Sequence, residues 1–125
     1  MSEIIGIGVD LCDIARMEKA IRKENFLKRV FTPQENAYLE SKGKSRAQSA
    51  AALYAAKEAV CKALGTGFSG GIMPEQIEVL HTELGAPVIR LHGQAEERFQ
   101  EMNGKALHVS LSHESGMAIA FVTAS

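Results

Sequence analysis

The sequence predicts an α+β domain with a mainly antiparallel sheet and helices packed on one side of it. Large apolar residues alternate with other residues over 3–11 and 107–111, which is typical of strands. An alanine-rich run at 47–63 predicts one long helix. The order of strand, helices, hairpin, helix and hairpin favours antiparallel pairing. Because 125 residues suit one domain of ordinary size, we predict a single domain over residues 1–125.

The first predicted strand, residues 3–11, carries the first candidate site residue. Its alternation places isoleucine, valine and leucine on one face and Gly6, Gly8 and Asp10 on the other. The two glycines leave room for a helix or a ligand to approach closely. The Asp10 carboxylate could therefore project into a pocket, the alternative being a polar strand end, whereas Asp13 is expected to cap the next helix.

The long alanine-rich helix carries the second group of candidate residues. Glu58 and Lys62 are four residues apart and share a face, and Gly65 stands where a helix end favours a left-handed residue. A polar pair beside the turn of Gly65, Thr66 and Gly67 could hold a phosphate. The alternative is an exposed ion pair next to an ordinary helix end.

The other predicted elements complete the sheet and its helical cover. Thr32, Pro33 and Glu35 form a capping box with proline at the first helical position. The predicted elements after the first strand are a helix at 14–23, an apolar segment at 26–31, a helix from Thr32, a polar connection at 41–45, a loop at 69–74, a hairpin of 77–81 with 88–91, a helix at 94–103, a strand at 107–111, a turn at 112–116 and a strand at 117–123.

The composition limits the cellular setting. No apolar run approaches the roughly 20 residues of a membrane span, and the N-terminus lacks the basic and apolar segments of a signal peptide. Cys12 and Cys61 are too few for a disulfide framework, so reduced and unreactive thiols are expected. We therefore predict a cytoplasmic protein without a membrane partner.

Charge is unevenly distributed although the net charge is only −1. Residues 16–29 hold six basic and two acidic side chains, and residues 75–101 hold six acidic and two basic ones. A local basic surface on a near-neutral chain favours an acidic protein partner over nucleic acid, because aromatic residues are not usefully interleaved with the basic ones and the chain is slightly acidic overall.

The candidate polar residues suit a magnesium-dependent reaction at a phosphate. Asp10 and Glu58 come from separate elements, and Mg²⁺ commonly takes one or two protein carboxylates and completes its shell with water and phosphate oxygens. The four histidines lack zinc-ligand spacing. Neither GxxxxGK(S/T) nor a well-placed GxGxxG is present, which disfavours a nucleoside triphosphatase.

Four segments together resemble the small 4'-phosphopantetheinyl transferases of the holo-acyl-carrier-protein synthase family. They are Gly6–Arg16 (GIGVDLCDIAR), Phe31–Glu35 (FTPQE), Ala55–Gly67 (AAKEAVCKALGTG) and His108–His113 (HVSLSH). The segments occur in order and at fitting separations across almost the whole chain. The resemblance implies the fold of that family and transfer of phosphopantetheine from coenzyme A to a serine of acyl carrier protein, in fatty acid biosynthesis.

The resemblance also implies roles for individual residues. Asp10 and Glu58 match the family's magnesium ligands, Lys62 matches a phosphate-contacting lysine, and His113 matches a histidine of the coenzyme site. Residues 65–67 would lie against the nucleotide end of coenzyme A. The candidate catalytic residues are thus Glu58, Lys62 and His113.

The resemblance further implies a homotrimer with active sites between subunits, and an acidic carrier protein that docks on the basic segment. The docking candidates are Arg16, Lys19, Arg22, Lys23 and Lys28. Leu53 departs from the family pattern, because many relatives carry a basic residue there. Arg46 could supply the missing phosphate contact.

Two questions stay open at this point. The general base could be Glu58, Glu114 or a water held by the metal, with the water route through Glu58 favoured. The alternative to an enzyme is a binding module for carrier protein or nucleotide that keeps the same fold without catalysis.

Overall fold

A computed structural model describes residues 3–125, so the first two residues of the predicted domain lie outside the described part of the chain. The elements are β1 (Gly6–Asp13), α1 (Ile14–Ala20), α2 (Glu24–Val30), α3 (Pro33–Glu40), α4 (Arg46–Leu64), β2 (Ile77–His81), β3 (Pro87–Leu91), α5 (Gly93–Glu101), β4 (Leu107–Glu114) and β5 (Met117–Ala124). Short 3₁₀ turns lie at Gly43–Ser45 and Pro74–Gln76.

The predicted α+β architecture is confirmed. β1, β5 and β4 form a three-stranded sheet in that order, and β2 and β3 form a separate hairpin; every pair is antiparallel. Helix α4 packs along one face of the three-stranded sheet. Its small side chains let it come close, since Ala55, Ala56 and Ala59 are fully buried.

The two glycines of β1 explain how close α4 can come. A Cβ atom at Gly8 would collide with the carbonyl oxygen of Ala59, and one at Gly6 would collide with that of Ala63. Side chains at these positions would therefore push the helix off the strand. The prediction that the glycine face of β1 receives a helix is correct.

Local capping signals are also confirmed. The Asp13 carboxylate accepts a hydrogen bond from the Arg16 amide at 3.0 Å and caps α1. Thr32 and Glu35 form the capping box of α3, with a proline at its first position. Gly65 ends α4 with φ 77°, in the left-handed region that costs glycine little.

Several predicted boundaries were wrong. Residues 24–30 form a helix, α2, where only an apolar segment was expected. Strand β4 continues through Glu114, so His113 and Glu114 lie on a strand end and the turn is confined to Ser115 and Gly116. Helix α1 stops at Ala20 rather than near residue 23. The polar residues 112–114 suggested a turn, but they pair with β5 and so extend β4.

A buried ion pair connects α3, α4 and β2. Lys57 Nζ and Glu35 Oε1 are 2.8 Å apart, and both side chains are fully buried. The ammonium also donates to the carbonyl oxygens of Ile77 at 2.7 Å and Pro74 at 3.0 Å. Glu35 Oε2 accepts from the Val79 amide at 2.8 Å. The pair thereby fixes the start of β2 against the middle of α4.

The outer face of the three-stranded sheet is apolar and uncovered in the single chain. Ile7, Val9, Leu11, Ile119 and Phe121 are all exposed there, and the register places Val9 opposite Phe121 and Leu11 opposite Ile119. Contiguous apolar surface of this kind marks an interaction site. Among the described residues, no helix has the length and apolar character required to cross a membrane.

Candidate active site

A cavity of about 400 Å³ lies where the end of β1, the start of α1 and the middle of α4 meet. Its polar lining comprises Asp10, Cys12, Asp13, Arg16, Tyr54 and Glu58. Asp10 and Glu58 therefore line the same cavity. The alternation of β1 points Asp10 toward α4, and the glycines before it bring that helix within reach.

Lys62 lies one helical turn beyond Glu58 but pairs with the strand. Its Nζ is 3.1 Å from Asp10 Oδ1 and 2.8 Å from the carbonyl oxygen of Val9. The Asp10 side chain is 20% exposed and that of Lys62 is 52% exposed. Within residues 3–125, Lys62 forms its ion pair with Asp10 and not with Glu58, so the alternative of a simple ion pair along the helix is wrong. Instead, Asp10 and Glu58 line the same cavity, and the Lys62 ammonium contacts the Asp10 carboxylate.

Two weak acids in the cavity lining, Cys12 and Tyr54, have raised pKa values, mainly because they are buried. Burial, helped by the nearby Asp10 and Asp13 carboxylates, raises the pKa of the Cys12 thiol to about 11. Burial also raises the pKa of Tyr54 to about 12, with added effects of the Glu58 charge and a hydrogen bond to it. The raised pKa makes Cys12 a poor nucleophile. The carboxylates of Asp10, Asp13 and Glu58 in the same lining favour a cation.

The donor set fits magnesium better than a metal that needs a full protein cage. Within residues 3–125, no cluster of three or more His, Cys, Asp or Glu side chains is arranged to hold a metal ion. Asp10 and Glu58 offer two carboxylates on one cavity wall, and Mg²⁺ is commonly held by one or two carboxylates with water and phosphate oxygens. The residues therefore fit a Mg²⁺ ion that a phosphorylated ligand helps to hold.

Other predicted site residues lie apart from this cavity. Thr66 lines a separate recess with Arg98, and Arg46 lines another with Arg22. Gly65 and Gly67 are exposed beside the first of these. Leu53 is buried in the core and does not line the cavity.

His113 lies on the sheet face that α4 covers, but away from Asp10. It pairs with Ala118, which in turn pairs with Cys12, so two strand spacings of about 4.8 Å each separate it from β1. His113 and Glu114 are both exposed. Within one chain, the structure does not bring either residue to the cavity lining.

Besides Cys12, two polar lining residues were not expected from the sequence. Tyr54 is one turn before Glu58 on the same helix face, so the four-residue spacing could have identified it. Asp13 was expected to be only a cap, yet it both caps α1 and lines the cavity.

The basic segment forms an exposed surface next to the cavity. Arg16 lines the cavity mouth, and the five docking candidates all have exposed side chains. Arg22 pairs with Glu18 and Lys28 with Glu24, each at 3.6 Å and well exposed. Such exposed pairs contribute little free energy and leave the surface positive overall.

Comparison with known proteins identifies the class of protein that has this fold and cavity. The family model described as the 4'-phosphopantetheinyl transferase superfamily matches residues 6–122. The chain belongs to this superfamily and, within it, to the holo-(acyl-carrier-protein) synthases, which are phosphopantetheinyl transferase enzymes.

Individual relatives match over nearly their full length. The holo-(acyl-carrier-protein) synthase of Geobacter sp. (strain M21) is 45% identical over 121 residues, which cover 95% of this chain and 96% of that protein. The Helicobacter pylori enzyme, crystallised with coenzyme A, has a TM-score of 0.83 at 35% identity and covers 95% and 99% of the two chains. The Neisseria meningitidis enzyme has a TM-score of 0.87 at 32% identity, with 98% and 99% coverage.

Proposed function

We propose that this enzyme transfers 4'-phosphopantetheine from coenzyme A to a serine hydroxyl of an apo acyl carrier protein, with Mg²⁺, and releases adenosine 3',5'-bisphosphate. The observation that carries the proposal is that Asp10 and Glu58, from two elements, line one cavity while the Lys62 ammonium contacts Asp10. The names of the relatives and the coenzyme A complex of the Helicobacter pylori enzyme support it.

Asp10 and Glu58 are the residues that would hold Mg²⁺. Bound there, the ion would neutralise charge on the diphosphate of coenzyme A and help to orient the phosphorus for in-line attack. The Lys62 side chain is half-exposed and its ammonium lies 3.1 Å from Asp10 Oδ1, so it would contact a phosphate oxygen bound there. The acidic cavity wall would otherwise repel the diphosphate, so both positive charges are required.

The reaction forms a bond from the serine oxygen to the phosphorus that carries pantetheine. The bond from that phosphorus to the bridging oxygen breaks, and adenosine 3',5'-bisphosphate departs with the electron pair. The serine proton must leave as the oxygen attacks, and Glu58 would accept it through a water molecule. Glu114 is the weaker candidate, because it does not line the cavity.

The carrier protein would dock on the basic surface of α1 and α2. Arg16 connects that surface to the cavity mouth, so a carrier bound there would present its serine to the reacting phosphorus. Interactions between the positive surface and acidic carrier residues would mainly set the encounter rate and the orientation.

A homotrimer would complete the site and cover the outer sheet face. The exposed side chains of Ile7, Val9, Leu11 and Phe121 supply an apolar surface for a second copy. Residues 65–67, Arg46 and His113 lie outside the cavity lining of their own chain, and a neighbouring copy could bring such groups to it. The cytoplasmic location and the place in fatty acid biosynthesis stay predictions.

The activity is tested by mixing the protein with apo carrier protein, coenzyme A and Mg²⁺ and measuring the carrier by mass spectrometry. The carrier is expected to gain the mass of one phosphopantetheine. EDTA should abolish this mass gain, and excess Mg²⁺ should restore it. A competent carrier that binds the protein yet gains no mass would favour the binding module instead.

A further inference from the structure

The contact between Lys62 and Asp10 has a consequence for how the cation binds. The ammonium lies 3.1 Å from Asp10 Oδ1, so it already neutralises one of the two carboxylates assigned to Mg²⁺. Its second acceptor is the carbonyl oxygen of Val9 at 2.8 Å. That oxygen belongs to β1, which pairs with β5 along its whole length, so the ammonium is anchored to a rigid element.

The two carboxylates are therefore unequal. Glu58 is four residues before Lys62, at the spacing that usually forms an ion pair on a helix. Within residues 3–125, however, the ion pairs place Lys62 on Asp10, and none joins it to Glu58. A cation arriving at Asp10 would meet a positive charge already on that carboxylate, whereas Glu58 carries no such partner.

We propose that Lys62 makes divalent-cation binding depend on a diphosphate ligand. Without the diphosphate, the ammonium competes with the cation for Asp10 and weakens its binding. A diphosphate gives Lys62 a new anionic partner, so Asp10 is released to the cation and the repulsion falls. This inference rests on the proposed function, because it assumes that Asp10 and Glu58 hold the metal.

Thermodynamic linkage gives the proposal a reciprocal form. If the diphosphate strengthens cation binding by a certain factor, the cation strengthens diphosphate binding by the same factor. Couplings between ligands typically span about 5-fold to 150-fold. The cation and the diphosphate would therefore bind together rather than separately, and Lys62 would supply part of that coupling.

The probe is Mn²⁺, whose free concentration can be followed by electron paramagnetic resonance. Dissociation constants are measured with and without saturating coenzyme A, after correction for Mn²⁺ bound by coenzyme A alone. Three proteins are compared: wild type, Lys62→Met and Lys105→Met. Lys105 is exposed and lies outside the cavity lining, so its variant controls for the loss of one positive charge.

Lys62→Met should bind Mn²⁺ about 5-fold or more tightly than wild type when coenzyme A is absent, in line with the lower end of ligand couplings. The strengthening by coenzyme A should be smaller in this variant than in wild type. Lys105→Met should match wild type in both measurements. Thermal unfolding of each variant checks that the fold is retained, and Lys62→Gln should shift Mn²⁺ binding in the same direction.

Two results would overturn the proposal in distinguishable ways. In the first, coenzyme A strengthens Mn²⁺ binding to wild type, but in the absence of coenzyme A Lys62→Met binds Mn²⁺ no more tightly than wild type does. The proposed role of Lys62 is then wrong, while the proposed metal site is retained. If no protein binds Mn²⁺ even with coenzyme A, the metal assignment is wrong and the role of Lys62 falls with it.

Discussion

Replacing Lys57 by methionine tests the buried ion pair that connects α3, α4 and β2. The methionine keeps most of the side-chain length but removes the ammonium, which makes hydrogen bonds of 2.8, 2.7 and 3.0 Å to Glu35, Ile77 and Pro74. The Glu35 carboxylate would remain fully buried without its counter-ion. Breaking one partner of such a pair costs about 3–5 kcal/mol of the free energy of unfolding.

Urea unfolding at one fixed protein concentration measures this free energy, because an oligomer unfolds in a concentration-dependent way. The exposed control Lys105→Met should stay within about 0.5 kcal/mol of wild type. A Glu35→Gln single variant and the double variant complete a double-mutant cycle. The double variant should lose less than the sum of the single losses, since glutamine leaves no buried charge.

A Lys57→Met protein whose free energy of unfolding lies within about 0.5 kcal/mol of wild type, the range of a typical surface substitution, would show that the buried pair does not stabilise the fold. Strict additivity in the cycle would equally show that the two side chains do not interact.

Three further predictions concern the strand, the docking surface and acid stability. Gly8→Ala should destabilise the fold, because the new Cβ collides with the Ala59 carbonyl oxygen; an unchanged melting temperature would contradict this. Arg16→Glu should raise the KM for carrier protein and reduce its salt dependence, and an effect on coenzyme A alone would contradict the docking surface. Burial raises the pKa of Glu78, but hydrogen bonds from Thr32 and His92 outweigh it and lower that pKa overall. Wild type should therefore have a higher free energy of unfolding than Glu78→Gln, and this difference should be largest above the unfolded pKa of about 4.3. The difference should disappear as pH falls through the lowered pKa of the folded state. Urea unfolding from pH 7 to pH 3 measures it.

The sequence was sufficient where a local rule decides the geometry. Alternation along β1 determines which way Asp10 points, and Gly6 and Gly8 predict the close helix because no other residue avoids the collision. Gly65 and the capping box at Thr32 and Glu35 are equally local signals. These features predict most of the fold and the meeting of Asp10 with α4.

Contacts between distant residues were harder to foresee. Lysine is seldom fully buried, so nothing near Lys57 predicted its partner Glu35, which lies 22 residues earlier. The helical spacing of Glu58 and Lys62 suggested that they pair, but the carbonyl oxygen of Val9 supplies a second acceptor that holds Lys62 on Asp10. Tertiary packing decided both contacts.

A crystal structure with coenzyme A and Mn²⁺ would locate the ion by its anomalous signal. If Asp10 and Glu58 hold the metal, one Mn²⁺ lies within about 2.2 Å of oxygens from both residues and of a diphosphate oxygen, close to the oxygen distances usual for Mg²⁺. An ion bound elsewhere, or a diphosphate seated away from these two side chains, would contradict it.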